Sequence, residues 1–168
     1  MTSSEQHAWF DQWMRDHIAI LHRVSHAFAD GSDRHDLMQE LMLAVWNAAP
    51  VFRKESASAT FIYRVSHNAA LTWKRTQRNY RKKIDRFAGF APVEPHNSSS
   101  NDELLQRVYA AIRLLPPLDR SLILLSLDGV SYREMAEMHS LSESNVGVRL
   151  NRIKQRLADN LKEDRHEF

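Results

Sequence analysis

The side chains in this sequence best placed to do chemistry are cationic and amide groups set at helical intervals. Residues 71–86 hold seven Lys/Arg (Lys74, Arg75, Arg78, Arg81, Lys82, Lys83 and Arg86) against one acid, Asp85. Arg64, Asn68, Arg75, Arg78 and Lys82 fall within about 40° of one line at about 100° per residue, so they share one helical face. Towards the C-terminus, Asn145, Arg149, Arg152 and Arg156 recur at i, i+4, i+7 and i+11. Guanidinium and amide groups in such stripes suit phosphates and base edges. The net charge is only +2, because residues 1–40 hold three arginines against seven acids. A basic block on a nearly neutral chain points to a polyanion, either nucleic acid or an anionic membrane surface. The plain alternative for both stripes is a solvated helix face.

Other chemistries find less support. With no cysteine, disulfide scaffolds, thiolate zinc sites and cysteine nucleophiles are excluded. Among the nine histidines, His22 and His26 stand one helical turn apart, with His17 and His35 near in sequence. Zinc wants further ligands at suitable geometry, so these read as ordinary histidines, and no metal or cofactor is expected. Ser, His and Asp occur without a nucleophile elbow or a phosphate loop, so no enzyme is expected. The longest aliphatic run is Leu122 to Leu125, whereas a bilayer span needs about 20 apolar residues. No basic stretch precedes an apolar core at the N-terminus. Stable membrane insertion and secretion are therefore not expected, and a cytoplasmic location is.

These stripes need helices to position them. With 43% apolar and 26% charged residues, 4 glycines and 5 prolines, the 168-residue chain suits a folded, helix-rich protein of one domain or two small ones. Trp9, Trp13, Ile20, Val24 and Ala27 predict a first helix over residues 4–29, closed by the turn Asp30-Gly31-Ser32. Asp33 is expected to cap a second helix with Leu37, Leu41, Val45 and Ala48 on its apolar face, ended by Pro50. Residues 51–59 read as a loop, with Ser56 or Ser58 capping a third helix. The apolar face of that helix is expected to be Ile62, Val65, Ala69 and Trp73. Residues 88–101, with Gly, two Pro and three Ser, read as a linker. Beyond it, Leu104, Val108, Ala111 and Leu115 predict a helix, and Pro117 sits in the first turn of the next. Ser131 is expected to cap a short helix to about His139. Ser142 is expected to cap a final helix with Val146, Leu150, Ile153 and Leu157 inward. Small Ala136 and, ten residues on, Val146 suit the close crossing of a helix-turn-helix. The fold is expected to be all-α, with domains at residues 1–87 and 102–168.

Residues 115–157, from Leu115-Pro-Pro-Leu-Asp-Arg to Asn151-Arg-Ile-Lys-Gln-Arg-Leu, resemble region 4 of the extracytoplasmic-function (ECF) sigma factors of the sigma-70 family. Asp36-Leu-Met-Gln-Glu-Leu-Met-Leu-Ala-Val-Trp resembles the core-binding helix of region 2 in the same family. Phe52-Arg-Lys-Glu-Ser and Thr60-Phe-Ile-Tyr-Arg-Val-Ser-His-Asn-Ala-Ala-Leu-Thr-Trp-Lys-Arg resemble its promoter-melting loop and −10 helix. The resemblance implies an alternative sigma factor that binds bacterial core RNA polymerase and directs it to promoter DNA. It implies core-polymerase contacts at Asp36, Gln39 and Glu40, which are helical neighbours. It implies −10 DNA contacts at Arg64, Asn68, Lys74, Arg75 and Arg78, and −35 contacts at Ser144, Asn145, Val148, Arg149 and Arg152. Phe61, Tyr63 and Trp73 are either stacking partners for displaced bases or core. The sequence departs from the family at Ser140, where the turn usually has Gly, and at Gly147 and Val148, where a basic and a small polar residue are usual. Phe61 replaces a common Trp.

Three other readings compete. A stand-alone helix-turn-helix regulator would not need the region 2 features. A sigma-like decoy binding an anti-sigma protein would not need the cationic faces. Residues 71–86 could bind an anionic membrane surface, although their apolar side is expected to be committed to a core. The chain runs only about ten residues past Leu157. No appended regulatory domain is therefore expected, and control is expected from a separate anti-sigma factor.

Overall fold

The computed structural model describes residues 2–84 and 100–163, all in helices or the short connections between them. The linker expected at 88–101 lies mostly outside the described residues. The chain divides into two compact units, residues 1–98 and 99–168.

In the first unit, α1 (Ser3–Phe28), α2 (Asp33–Ala48) and α3 (Ser58–Ile84) pack on one another. Thr2 opens α1 through a capping box, its side chain accepting from the Glu5 N–H while the Glu5 carboxylate accepts from the Thr2 N–H. The Thr2 N–H bond to the carboxylate, then a side-chain hydrogen bond from Thr2 to the same group, lowers the Glu5 pKa. Gly31 makes the turn at φ +52°, a backbone region open to glycine at little cost. The α1 stripe is inward as expected at Trp13, Ile20, Val24 and Ala27, while Trp9 stays partly exposed. Leu37, Leu41 and Val45 of α2 are buried, but Ala48 is only half-buried and Ala49 takes the inner place.

Four expectations are corrected here. Asp33 is not the cap of α2. The helix starts on it, and Ser32 precedes it in helical backbone without a side-chain cap bond. The Asp33 carboxylate meets Arg81 Nη2 at 2.6 Å, fastening the far end of α3. Ser58 is the first residue of α3 rather than its cap, and its Oγ is hydrogen-bonded to His17 Nε2 at 2.9 Å. The buried side of α3 is Thr60, Ile62, Tyr63, Ser66, His67 and Ala70. Of the expected apolar stripe, only Ile62 is fully inside. The helix is wedged against both α1 and α2, so its inner side is wider than one stripe. Val65, Ala69 and Trp73 fall on its edge beside α2. None of residues 71–84 is buried, so the basic end of α3 is not committed to a core.

The second unit holds α4 (Ser100–Arg113), α5 (Pro117–Leu127), α6 (Tyr132–His139) and α7 (Glu143–Glu163). Its core is aliphatic, with Ile112, Leu115, Leu122, Leu124, Leu125 and Leu150 at 2% exposure or less. Leu104, expected inward, is exposed. The stripe reaches the core only from Ala111 onwards. Pro117 occupies the first turn of α5, where its missing N–H costs nothing. Arg120 is buried and closes the end of α4. Its Nε donates to the Leu115 carbonyl at 2.8 Å and its Nη2 to the Arg113 carbonyl at 2.6 Å. The Arg113 carbonyl is one that a helix terminus otherwise leaves unsatisfied, and the Leu115 carbonyl lies in the turn that follows. Burial, then the nearby Arg113 charge, lowers the Arg120 pKa, yet a guanidinium stays protonated.

Candidate functional site

In the first unit, the residues expected to act lie on the outer faces of α2 and α3. Asp36, Gln39 and Glu40 are all exposed on α2. From Glu40 a groove runs between the two helices. Leu43, Ala44 and Asn47 line it from α2, with Val65, Asn68, Ala69, Thr72, Trp73 and Thr76 from α3. The structure therefore brings Glu40 and Asn68, read from separate motifs, to one groove. The Thr72 and Thr76 hydroxyls donate to carbonyls one turn back, so they are satisfied within the helix. Arg64, Asn68, Arg75 and Arg78 form an exposed stripe on α3. By rise per residue, Arg64 to Arg78 spans about 21 Å. Lys74 is half-buried and lies about 80° off this stripe.

The loop between the 3-10 turn at Ala49–Val51 and α3 is held from below by aromatic rings. Phe52 packs edge-on against Trp9 and Trp13, at centroid distances of 5.9 and 5.3 Å, and in a tilted contact against Phe61 at 4.8 Å. Phe61 also meets Trp13 at 5.8 Å. Lys54, at φ +61°, sets its ammonium 5.2 Å from the centroid of the Trp9 ring, within cation–π range. Arg53, Lys54 and Glu55 are exposed above this base. Phe61 and Tyr63 thus belong to the packing, with Tyr63 only 2% exposed, whereas Trp73 faces the groove. The sequence reading placed Trp9 and Trp13 on a core stripe and missed that they carry the loop. The aromatic Phe52 at the start of an otherwise polar segment was the available signal.

Three of the histidines are engaged in hydrogen bonds between side chains. His17 pairs with Ser58, His26 Nδ1 accepts from Arg34 Nη1 at 3.1 Å, and His139 Nε2 is hydrogen-bonded to Ser121 Oγ at 3.1 Å. Among the described residues, no group of three or more His, Cys, Asp or Glu could hold a metal ion.

In the second unit, α6 and α7 form the helix-turn-helix. Ser131 and Glu134 make a capping box at the start of α6. The helix ends on Ser140 in the left-handed conformation, at φ 55° and ψ 44°, the backbone its glycine-like position demands. Leu141 N–H then returns to the Ala136 carbonyl at 2.9 Å. Ser142 Oγ accepts from the Asn145 N–H at 3.1 Å, capping α7 as expected. Ala136, Val146, Leu150 and Ile153 are buried. Ser144, Asn145, Val148 and Arg152 are exposed on the other side, with Val148 49% exposed. Gly147 lies under Tyr132, where an added Cβ would meet the ring at 3.4 Å. Arg149 is half-buried. Its Nη1 is 3.0 Å from Asp119 Oδ1 on α5, and its Nε donates to Asn145 Oδ1 at 3.1 Å. Asp119 was not singled out from sequence. It is distant in the chain and reads there as an ordinary first-turn acid.

Known proteins share both units. Residues 9–80 match Sigma-70 region 2, and residues 105–157 match Sigma-70, region 4. The ECF RNA polymerase sigma factor SigM of Mycobacterium tuberculosis is 30% identical over 152 residues, covering 89% of this chain and 75% of SigM. The ECF RNA polymerase sigma-E factor of Escherichia coli is 29% identical over 140 residues, covering 76% and 73%. Among solved structures, the sigma factor RpoE from Bartonella quintana, in complex with the anti-sigma factor NepR, aligns with a TM-score of 0.70 at 22% identity. It covers 91% of this chain and 96% of RpoE. CnrH, in complex with the cytosolic domain of CnrY, aligns with a TM-score of 0.62 at 22% identity, covering 92% and 88%. Two motif sets in one order, carried on the helices that the family's regions require, place this chain among the ECF sigma factors of the sigma-70 family.

Proposed function

We propose that the protein joins bacterial core RNA polymerase in the cytoplasm and gives it promoter specificity, the polymerase supplying all the catalysis. The observation that carries this reading is the presence in one chain of both a region 2 unit and a region 4 unit. The exposed acids Asp36 and Glu40, with Gln39 between them, offer carboxylates to arginines of the polymerase, a pairing that charge strengthens. The Arg64–Arg78 stripe faces −10 DNA, with Lys74 at its margin, and neutralises phosphates along its length. Opening the duplex costs a few kcal/mol per base, and contacts to the displaced strand must offset it. The loop from Phe52 to Ala57, braced by Trp9 and Trp13, gives such contacts a firm base. In the second unit, α7 presents its N-terminal half to the major groove at the −35 element. Arg152 serves phosphate there. Val148 offers an apolar surface to a thymine methyl, as apolar side chains do.

Control by a separate anti-sigma factor is part of the proposal. RpoE and CnrH were each solved with such a partner or with a cytosolic partner domain. The exposed groove between α2 and α3 would be available to one here.

Run-off transcription with purified protein and core polymerase tests the function. Initiation at defined start sites only when both are present is expected, with weak duplex binding by the protein alone. Tight operator binding without polymerase, and no initiation with it, would establish a stand-alone regulator instead.

A further inference from the structure

Arg149 stands on the DNA-facing side of α7, yet its guanidinium is already engaged. Asp119, in the first turn of α5, takes Nη1 at 3.0 Å. Its side chain is 16% exposed against 39% for Arg149, so the pair is partly sheltered from water. The neighbouring Nε donates to Asn145 Oδ1 at 3.1 Å, one turn back on α7. A guanidinium nitrogen only donates, so the amide atom facing it must be the Asn145 oxygen. The Asn145 NH2 is thereby turned away from Arg149, on an exposed side chain.

We infer that Asp119 is a positioning residue for −35 recognition: through Arg149 it fixes the Asn145 amide as a hydrogen-bond donor towards the acceptor edge of guanine. This rests on the reading of α7 as the −35 recognition helix. Asparagine that reads adenine does so with both amide atoms, accepting from N6 and donating to N7. Here the oxygen is turned towards Arg149, whose Nε–H takes one of its two acceptor sites and holds it aside from a base edge. The group this orientation presents outward is the NH2, and guanine meets it with two acceptors, N7 and O6. Asp119 also holds the Arg149 charge back from the DNA, leaving Asn145 to read this position.

The test uses polymerase holoenzyme carrying the full chain, selected on a promoter library randomised across the −35 element. Asn145→Ala identifies the position that residue reads. In the wild type that position should favour guanine over adenine. In Asp119→Ala the guanine-over-adenine ratio there should fall by about tenfold, within the range one bidentate contact supplies. Asp119→Asn keeps an acceptor for Nη1 and should retain most of the preference, which a merely structural role for the charge would not. If Asp119→Ala does not fold, Arg149→Lys gives the second route. One ammonium lacks the guanidinium fork that reaches both partners, so preference should fall at the same position. Unchanged preference in these variants, or equal weakening of all sequences, overturns the inference while leaving the sigma-factor reading intact. A wild-type holoenzyme without any −35 preference overturns both the inference and the reading of α7 as the −35 recognition helix.

Discussion

Replacing Ser140 with glycine is expected to stabilise the helix-turn-helix unit. Ser140 sits at φ 55° and ψ 44° and is exposed. In that conformation Cβ crowds the following carbonyl, at a cost of about 1–2 kcal/mol for an L-residue. Glycine removes the crowding but widens the unfolded ensemble, which takes back about 0.4–1 kcal/mol. The strain term is the larger, so a net gain of about 0.5–1 kcal/mol remains. For a unit of this size, a change of 1 kcal/mol shifts Tm by about 4–8 °C. The predicted rise is therefore roughly 2–8 °C. Thermal unfolding followed by circular dichroism reads it. Amide exchange in α6 and α7 localises it, because protection should rise there and not in α1–α3. Ser140→Ala is the control, since it removes the hydroxyl but keeps Cβ. A Ser140→Gly protein that melts no higher than the parent, or an Ser140→Ala protein that gains as much, would refute the strain argument.

Other consequences are open to direct measurement. Reversing Asp36 and Glu40 to lysine should weaken core-polymerase binding at least tenfold, with the melting curve shifted by less than about 0.5 kcal/mol because both side chains are exposed; pull-down and fluorescence titration check this. Arg152→Ala should weaken binding to all promoters alike and reduce the salt slope by about 1, as loss of one phosphate contact does; a salt series across several promoters checks it. Arg120→Ala should destabilise the second unit by about 2–4 kcal/mol, since two bonds from a buried cation to the end of α4 are lost; denaturant unfolding measures this, with the exchange protection of α1–α3 expected to stay unchanged.

The elements were largely readable from the sequence because most of their signals are local. Ser131 and Ser142 cap the helices they precede, and Pro117 opens α5. The inward α7 positions Val146, Leu150 and Ile153 follow the helical period. What stayed hidden depends on packing between elements. The inner face of α3 includes Ser66 and His67, polar residues that a stripe of apolar letters passes over. Trp73 and Val65 look like core by spacing but fall at the edge, because α1 and α2 divide the helix between them. The same limit applies to the functional residues. Exposure of Asp36, Glu40, Arg64 and Arg78 follows from one helix at a time. The Arg149–Asp119 pair joins residues thirty apart, and the rings under Phe52 come from the start of the chain. No period within one helix announces either.

Permanganate probing of promoter DNA is the most direct test of the central claim, because it reports strand opening itself. With this protein and core polymerase together, unpaired thymines should become reactive around the −10 element and the start site. Neither component alone should produce them, and the Asp36→Lys/Glu40→Lys double variant should not. Duplex DNA that stays unreactive with core polymerase present, while the protein alone protects a discrete operator, would contradict the account.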